Sequence, residues 1–428
     1  MADDLMDQAM RLHLAGRHAE SEALYRQIAA HHPDSAKAKH YLGFLLQQTG
    51  RLEEALELIE ASLQHDNSHS EWHYNHGIVL DRLGRCDEAI AAFEHALKLA
   101  PGSYFCKTSL GALFEKTGKI DKAEQLYREA SQIDPHCPDA HYLLAALLVA
   151  QGRFPEARHF NSLGLIADPA SDKSKIKLGI AYCEVGEKDR AIALMENWLL
   201  EEPGNPVASH MLAAFRGDLP ERCSERYVEA AFDRFAAQFD SILTKLEYAG
   251  PRLLREELQR LGLARNSLKV LDLGCGTGLN GQILKSVALT LTGVDISQAM
   301  LDAAGRRQCY DFLVKSDICE FLGDGKDRFD LVACMDTLIY FGNLEPVFSG
   351  ISARLAPGGQ FVFTTEKLAS DSKGYELGIT GRYRHSEAHV ARLLDESGFE
   401  PPHASSAAIR KESGQPVEGQ LFSARKRR

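Results

Sequence analysis

The 428-residue sequence has no apolar run approaching the roughly 18 residues that a membrane helix needs, so no membrane span is expected. It starts MADDLMDQAM, acidic where a secretory leader is basic, and a cytoplasmic location is the expectation. No two of its nine cysteines form a Cys-x-x-Cys pair. An odd, scattered set in a chain of this length argues against a disulfide framework or structural zinc, and no metal is expected. A basic surplus is missing as well. Residues 1–217 hold 22 Lys+Arg against 31 Asp+Glu, and residues 218–428 hold 27 against 29. Apart from the tail Arg425-Lys426-Arg427-Arg428, neither half offers the cationic surface that phosphate-backbone binding uses. Neither nucleic acid nor a membrane is an expected partner.

What is present is ordinary globular material, 44% hydrophobic and 25% charged, and long enough for about two to three domains. The first half is periodic. Gly16, Gly50, Gly84, Gly118, Gly152 and Gly186 recur every 34 residues, and Pro33, Pro101, Pro135, Pro169 and Pro203 keep the same frame. Ala55, Ala89, Ala123, Ala157 and Ala191 hold a second fixed position; Gly43, Gly77, Gly111 and Gly179 hold a third, with Ala9 and Ala145 as substitutes. The pattern predicts a helix, a glycine turn, a second helix and a proline that ends it. The small residues fall where the two helices press together. Leu42, Leu46, Leu110, Phe114, Leu144 and Leu148, at helical spacing, are the predicted core.

This half resembles the tetratricopeptide repeat family in its 34-residue period and in its glycine, alanine and proline positions, over roughly residues 2–205. It departs from that pattern in the terminal repeats, where Ser21 replaces the alanine and Trp198 takes a small position. The resemblance implies a superhelix whose groove holds a protein or peptide partner. Members that clamp a C-terminal carboxylate use Lys and Asn; here the corresponding repeats offer Met6, Met10, Lys37, His40, Phe44 and Asn75, which speaks against such a ligand. Fourteen of the seventeen histidines fall in this half, the His31-His32 pair among them, at mixed helical phases that suit packing and surface roles better than metal ligation.

The repeat frame stops after Pro203, and Arg216-Gly217-Asp218-Leu219-Pro220 reads as a turn into a second domain, giving boundaries of 1–217 and 218–428. Aromatics at Phe232, Phe235 and Phe239 on an amphipathic helix read as core. Leu268-Lys269-Val270-Leu271-Asp272-Leu273-Gly274-Cys275-Gly276-Thr277-Gly278 then reads as an apolar strand ending in an acid and a glycine-rich turn, the first unit of a doubly wound sheet. Its Gly-x-Gly-x-Gly spacing is tighter than the Gly-x-Gly-x-x-Gly of dinucleotide sites, and Asp272 repels a phosphate but not an ammonium. A ligand with an amino group and no phosphate fits better.

The stretch from about 226 to 425 resembles class I methyltransferases, and the whole resembles bacterial methyltransferases that carry tetratricopeptide repeats. The implied fold class is α + α/β, an all-α superhelix followed by a Rossmann-like domain, and the implied cofactor is S-adenosylmethionine. The resemblance assigns cofactor binding to Asp272, Gly274, Cys275, Gly276 and Gly278, and to Asp295 on the ribose hydroxyls with Ile296 on adenine. It assigns Asp317 to the adenine amino group with Ile318 on the ring's other side, and Met335 to the methionine end. Asp336, Tyr340 and His385 are the polar candidates beside the methyl group. The Asn/Asp-Pro-Pro-Tyr turn of base-nitrogen methylation is absent after the fourth strand, which reads Met335-Asp336-Thr337-Leu338, as is a Pro-Cys nucleophile. A carboxyl, hydroxyl, amine or carbon acceptor remains. So does the alternative of a non-catalytic interaction scaffold whose second domain binds cofactor without turnover or is degenerate and binds nothing, although Asp272, the three glycines and Asp295 are all intact.

Overall fold

The computed structural model describes residues 2–168, 174–263, 266–370, 373–412 and 415–428; Pro169 of the repeat frame lies outside them. The chain divides into two compact units, residues 1–171 and 172–428.

In the first unit the described residues form ten helices, paired as the 34-residue period predicts, from Ala2–Leu14 and His18–His31 to Pro138–Ala150 and Phe154–Ala167. The turn glycines Gly16, Gly50, Gly84, Gly118 and Gly152 have φ between 72° and 85°, the left-handed region that other residues enter at a cost. The small third position is explained by close approach. A Cβ on Gly77 would stand 2.6 Å from the Phe93 ring, and one on Gly111 2.6 Å from Tyr127. Gly77→Val is therefore expected to lower stability by about 1–3 kcal/mol through overpacking, read as a reduced melting temperature. Ser21, the departure in the first repeat, is buried and donates its hydroxyl to Ala9 O at 2.8 Å, so a polar atom is satisfied where alanine would have none. His40 stacks on Trp72 at 4.6 Å and its Nε2 meets Asn75 Nδ2 at 3.2 Å, so both candidates for ligand contact are engaged internally.

The second unit opens with helices Lys175–Glu184, Lys188–Glu201 and Pro206–Arg216. Asn205 caps the last of these, its Oδ1 accepting from Val207 N and Ala208 N, and Gly217 ends it at φ 80°. The expected boundary near 217 coincides with the end of helix Pro206–Arg216, but the compact division falls at residue 171. The reason is packing. Gly179 fits against Phe215, Ala214 shares an apolar cluster with Cys223, Leu377 and Tyr383, and His210 Nε2 bonds to Gly381 O at 2.8 Å.

Beyond these helices lies one twisted sheet of β1 (Leu268–Leu273), β2 (Ala288–Asp295), β3 (Phe312–Lys315), β4 (Phe329–Cys334), β5 (Leu355–Lys367), β6 (Tyr375–Leu377), β7 (Tyr383–His385), β8 (His403–Glu412) and β9 (Gln415–Arg425). Their order is β3-β2-β1-β4-β5-β7-β6, with β9 antiparallel to β5 and β8 to β9. β1 to β5 run parallel, and the chain leaves β1 for β2 on one side and returns to β4 on the other. Ligands bind at the carboxyl ends of strands at such a reversal. The strands are near-continuous apolar runs because helices cover both faces; Leu271, Val332, Phe361 and Phe363 fill one face, Val270, Leu331 and Val362 the other.

Candidate cofactor and acceptor site

The carboxyl ends of β1, β2 and β4 open on a cavity of about 370 Å³. Gly274, Gly276 and Gly278 carry the chain out of β1 at φ 68°, 54° and 81°. A Cβ on Gly274 would meet Thr337 Oγ1 at 2.3 Å, and one on Gly276 would enter open space, 3.8 Å from Phe239. The first glycine lets the β1 and β4 loops close together; the second leaves room for a ligand against bare backbone. Gly276 N donates to Asp295 Oδ2 at 2.9 Å and Ser297 N to Asp295 Oδ1 at 2.9 Å. The buried carboxylate at the end of β2 is thereby fixed against the glycine loop. Burial pushes Asp295 up from the usual carboxylate range, against the backbone N–H groups that stabilise its charge.

Helices Glu225–Phe235 and Phe239–Lys245 roof this cavity. The aromatics read as core instead line it: Phe232 and Phe239 face the opening, and Phe235 is half exposed. The roof is latched to the glycine loop, because Thr277 Oγ1 donates to Asp240 Oδ1 at 2.5 Å and Arg307 pairs with the same carboxylate.

Of the expected cofactor residues, Gly274, Cys275, Gly276, Asp295, Ile296, Asp317, Ile318 and Met335 line the cavity. Asp272 and Gly278 do not. Asp272 is fully buried behind the loop and accepts the Tyr310 hydroxyl at 2.7 Å, so its carboxylate is not presented to an ammonium. Gly278 packs on Tyr310 and Arg307. Asp317 caps helix Ile318–Asp324 through Cys319 N and Glu320 N. It also takes Arg222 Nη1 at 3.0 and 3.2 Å, a cation already seated at the acid expected to meet adenine.

Asp336 and Tyr340 line the cavity; His385 is outside it. The β7 backbone turns the His385 ring onto Gly342 O at 3.0 Å, and burial pushes its pKa down to about 4. It is a neutral buried prop, not a proton carrier beside the ligand. Asp336 sits at φ 55° with its N–H on Thr364 Oγ1 at 2.8 Å. Its carboxylate accepts Arg410 Nη1 at 3.0 and 3.3 Å. Burial raises Asp336, and Arg410 opposes the rise. Arg410, buried on β8, gives Nη2 to Glu366 and Nε to Glu412 at 2.8 Å. Burial disfavours its charge, but the three carboxylates outweigh that and hold it protonated. The sequence reading missed Arg410 and Arg382, which reach the site from β8 and from the turn before β7 and carry no local signature.

Burial pushes Asp272 up to about 7, although the Tyr310 hydrogen bond favours its charge. An unfolded Asp loses its proton near pH 3.9. Between about pH 4 and 7 the native state therefore holds more protons, and this group's contribution to stability falls as pH rises through that window. Asp272→Asn is expected to flatten the decline, and urea melts from pH 4 to 8 on both proteins measure it.

A family profile described as a methyltransferase domain matches residues 246–403, and two described as tetratricopeptide repeats match 34–102 and 114–173. The chain combines tetratricopeptide repeats with a methyltransferase domain. The ubiquinone biosynthesis O-methyltransferase of Coxiella burnetii (strain Dugway 5J108-111) is 30% identical over 115 residues, covering 26% of this chain and 48% of that protein. The malonyl-[acyl-carrier protein] O-methyltransferase of Erwinia pyrifoliae is 31% identical over 153 residues, 36% of this chain and 56% of the relative. The chain thus spans about half the length of the curated relatives it matches. A solved structure of magnesium protoporphyrin IX methyltransferase from Synechocystis PCC 6803 with bound SAH aligns at TM-score 0.33 and 15% identity, covering 46% of this chain and 85% of that one. No helix among the described residues is long and apolar enough to cross a membrane.

Proposed function

We propose that the second unit uses S-adenosylmethionine to methylate an acceptor on a small molecule, a carrier-bound group or a protein, while the repeats hold a protein segment and recruit the substrate or a partner. The observation that carries this reading is the joint between Gly276 N and Asp295 Oδ2 on the cavity wall. Bare glycine backbone beside a carboxylate on the cavity wall suits a ribose diol, with Ile296 and Ile318 placed to pack on adenine. The same geometry suits no phosphate, because Asp295 faces the opening. Both relatives named above are O-methyltransferases, which favours an oxygen acceptor over an amine or carbon.

When bound, the cofactor supplies a methyl group on a sulfonium, displaced in line with a neutral leaving group, so alignment of the acceptor provides much of the acceleration. Phe232, Phe239 and Tyr248 give the cavity an aromatic lining, and the Asp240–Thr277 latch holds the roof against the glycine loop. Asp336 is committed to Arg410, which makes it a positioning group for the β4 loop. A calorimetric titration with S-adenosylmethionine tests the reading. Micromolar binding is expected, and a folded protein that binds none would leave a protein-interaction scaffold as the better account.

A further inference from the structure

One corner of the cavity is unused by the cofactor reading. Arg382 follows the β6–β7 turn, Tyr340 ends the 3-10 helix Leu338–Tyr340, and Tyr227 lies on the roof helix Glu225–Phe235. All three line the cavity, and none belongs to the glycine loop or the strand-end acids. Arg382 gives Nη1 to Glu412 and stands 3.9 Å from Glu366. Its other N–H groups, and the hydroxyls of Tyr227 and Tyr340, make no hydrogen bond among the described residues. Arg382 is 28% exposed, and these donors open onto the cavity with no protein acceptor, so a ligand's acceptor atoms can take all three on one wall. A guanidinium fork matches the two oxygens of a carboxylate. The surrounding wall is apolar, with the Phe232 ring edge-on to Tyr340 at 5.5 Å.

Charge bears on the choice. Arg410 spends its three nitrogens on Asp336, Glu366 and Glu412, so the group of two guanidiniums and three carboxylates has no net positive charge to draw an anion. The directional donors of Arg382 and the phenols are what an anion would meet. A sulfonium beside Asp336 offsets the surplus carboxylate, which makes the cofactor-loaded protein the better receptor.

We propose that Arg382, Tyr340 and Tyr227 form the subsite for a carboxylate on the methyl acceptor, an organic acid with an apolar or aromatic body. This rests on the methyl-transfer reading above. The test is calorimetric titration of sodium benzoate into protein saturated with sinefungin, whose amine takes the sulfonium's place. Wild type, Arg382→Leu, Arg382→Lys and Tyr340→Phe are compared after their melting temperatures are checked. S-adenosylhomocysteine and methylthioadenosine, which lacks the amino-acid end, are titrated in parallel. Benzoate is expected to bind wild type, about 10- to 100-fold more weakly to Arg382→Leu, with partial recovery in Arg382→Lys and a smaller loss in Tyr340→Phe. The latter keeps the test readable if Arg382→Leu does not fold. Benzoate that fails to bind wild type, or binds the folded variants equally, overturns the proposal. A loss confined to S-adenosylhomocysteine, with methylthioadenosine unaffected, would place the carboxylate on the cofactor and overturn the acceptor assignment. Failure of both nucleosides on wild type would sink the methyl-transfer reading separately, while benzoate on the protein alone still decides whether the corner takes a carboxylate.

Discussion

Asp295→Ala is expected to weaken S-adenosylhomocysteine binding by about 100-fold or more. A carboxylate that accepts two hydroxyls contributes about 1.5–3 kcal/mol per charge-assisted bond, and alanine removes both. The substitution has a second effect that must be separated from the first. Asp295 also holds Gly276 N and Ser297 N, each at 2.9 Å, so alanine orphans two N–H groups and loosens the glycine loop. Asp295→Asn keeps one acceptor oxygen and loses the charge. It should bind with intermediate affinity and melt closer to wild type. If both variants fold and bind as tightly as the unaltered protein, the carboxylate has no part in the site and the ribose assignment is wrong.

What the sequence disclosed and what it withheld divide along a physical line. Repeats announce themselves because a turn glycine at φ near 80° and a glycine pressed against Phe93 or Tyr127 are steric demands met by residue type at a fixed spacing. The β1 loop was legible for the same reason: Gly274 and Gly276 are imposed by backbone and cavity. Asp295 and Asp317 followed because each stands at the end of a parallel strand or the start of the next helix. Asp272 shows the limit of that logic. Its place in the motif suggested an electrostatic role toward ligand, yet the Tyr310 hydroxyl, 38 residues on, claims it. Arg222, Arg382 and Arg410 were invisible for the converse reason. Each is an unremarkable surface-type residue locally and becomes part of the cavity only through contacts at long sequence separation, such as the 95 residues between Arg222 and Asp317. Phe232 and Phe239 were read at the right helical phase but assigned to a core, since spacing alone cannot tell a cavity roof from a packed interior.

The same long-range contacts predict where the methyltransferase unit can be cut. A chain of residues 174–428 is expected to fold with near-native stability, whereas 218–428 is expected to lose about 2–4 kcal/mol and melt about 5–15 °C lower. The shorter chain keeps every strand of the sheet and every motif residue, so sequence alone would favour it. It lacks helix Pro206–Arg216, whose His210 ring is buried on Gly381 O and whose Ala214 packs with Cys223, Leu377 and Tyr383. That helix also anchors the segment behind it. Tyr383 donates its hydroxyl to Pro220 O at 2.8 Å, Gly342 N and Asn343 N donate to Glu221 O at 2.7 and 2.8 Å, and Cys223 N donates to Tyr340 O at 2.8 Å. Residues 220–223 are thereby strapped along the cavity wall, bringing Arg222 to Asp317. Without the helix the strap is a free chain end, and ordering it costs about 1–2 kcal/mol per residue with no packed neighbour to offset that. Cofactor affinity should fall with stability, because Arg222, Cys223 and Tyr340 share the wall. Paired thermal melts and S-adenosylhomocysteine titrations decide the point: equal melting and equal affinity in the two truncated chains would mean that the sixth repeat only rests on the domain, while loss of both would make it part of the site.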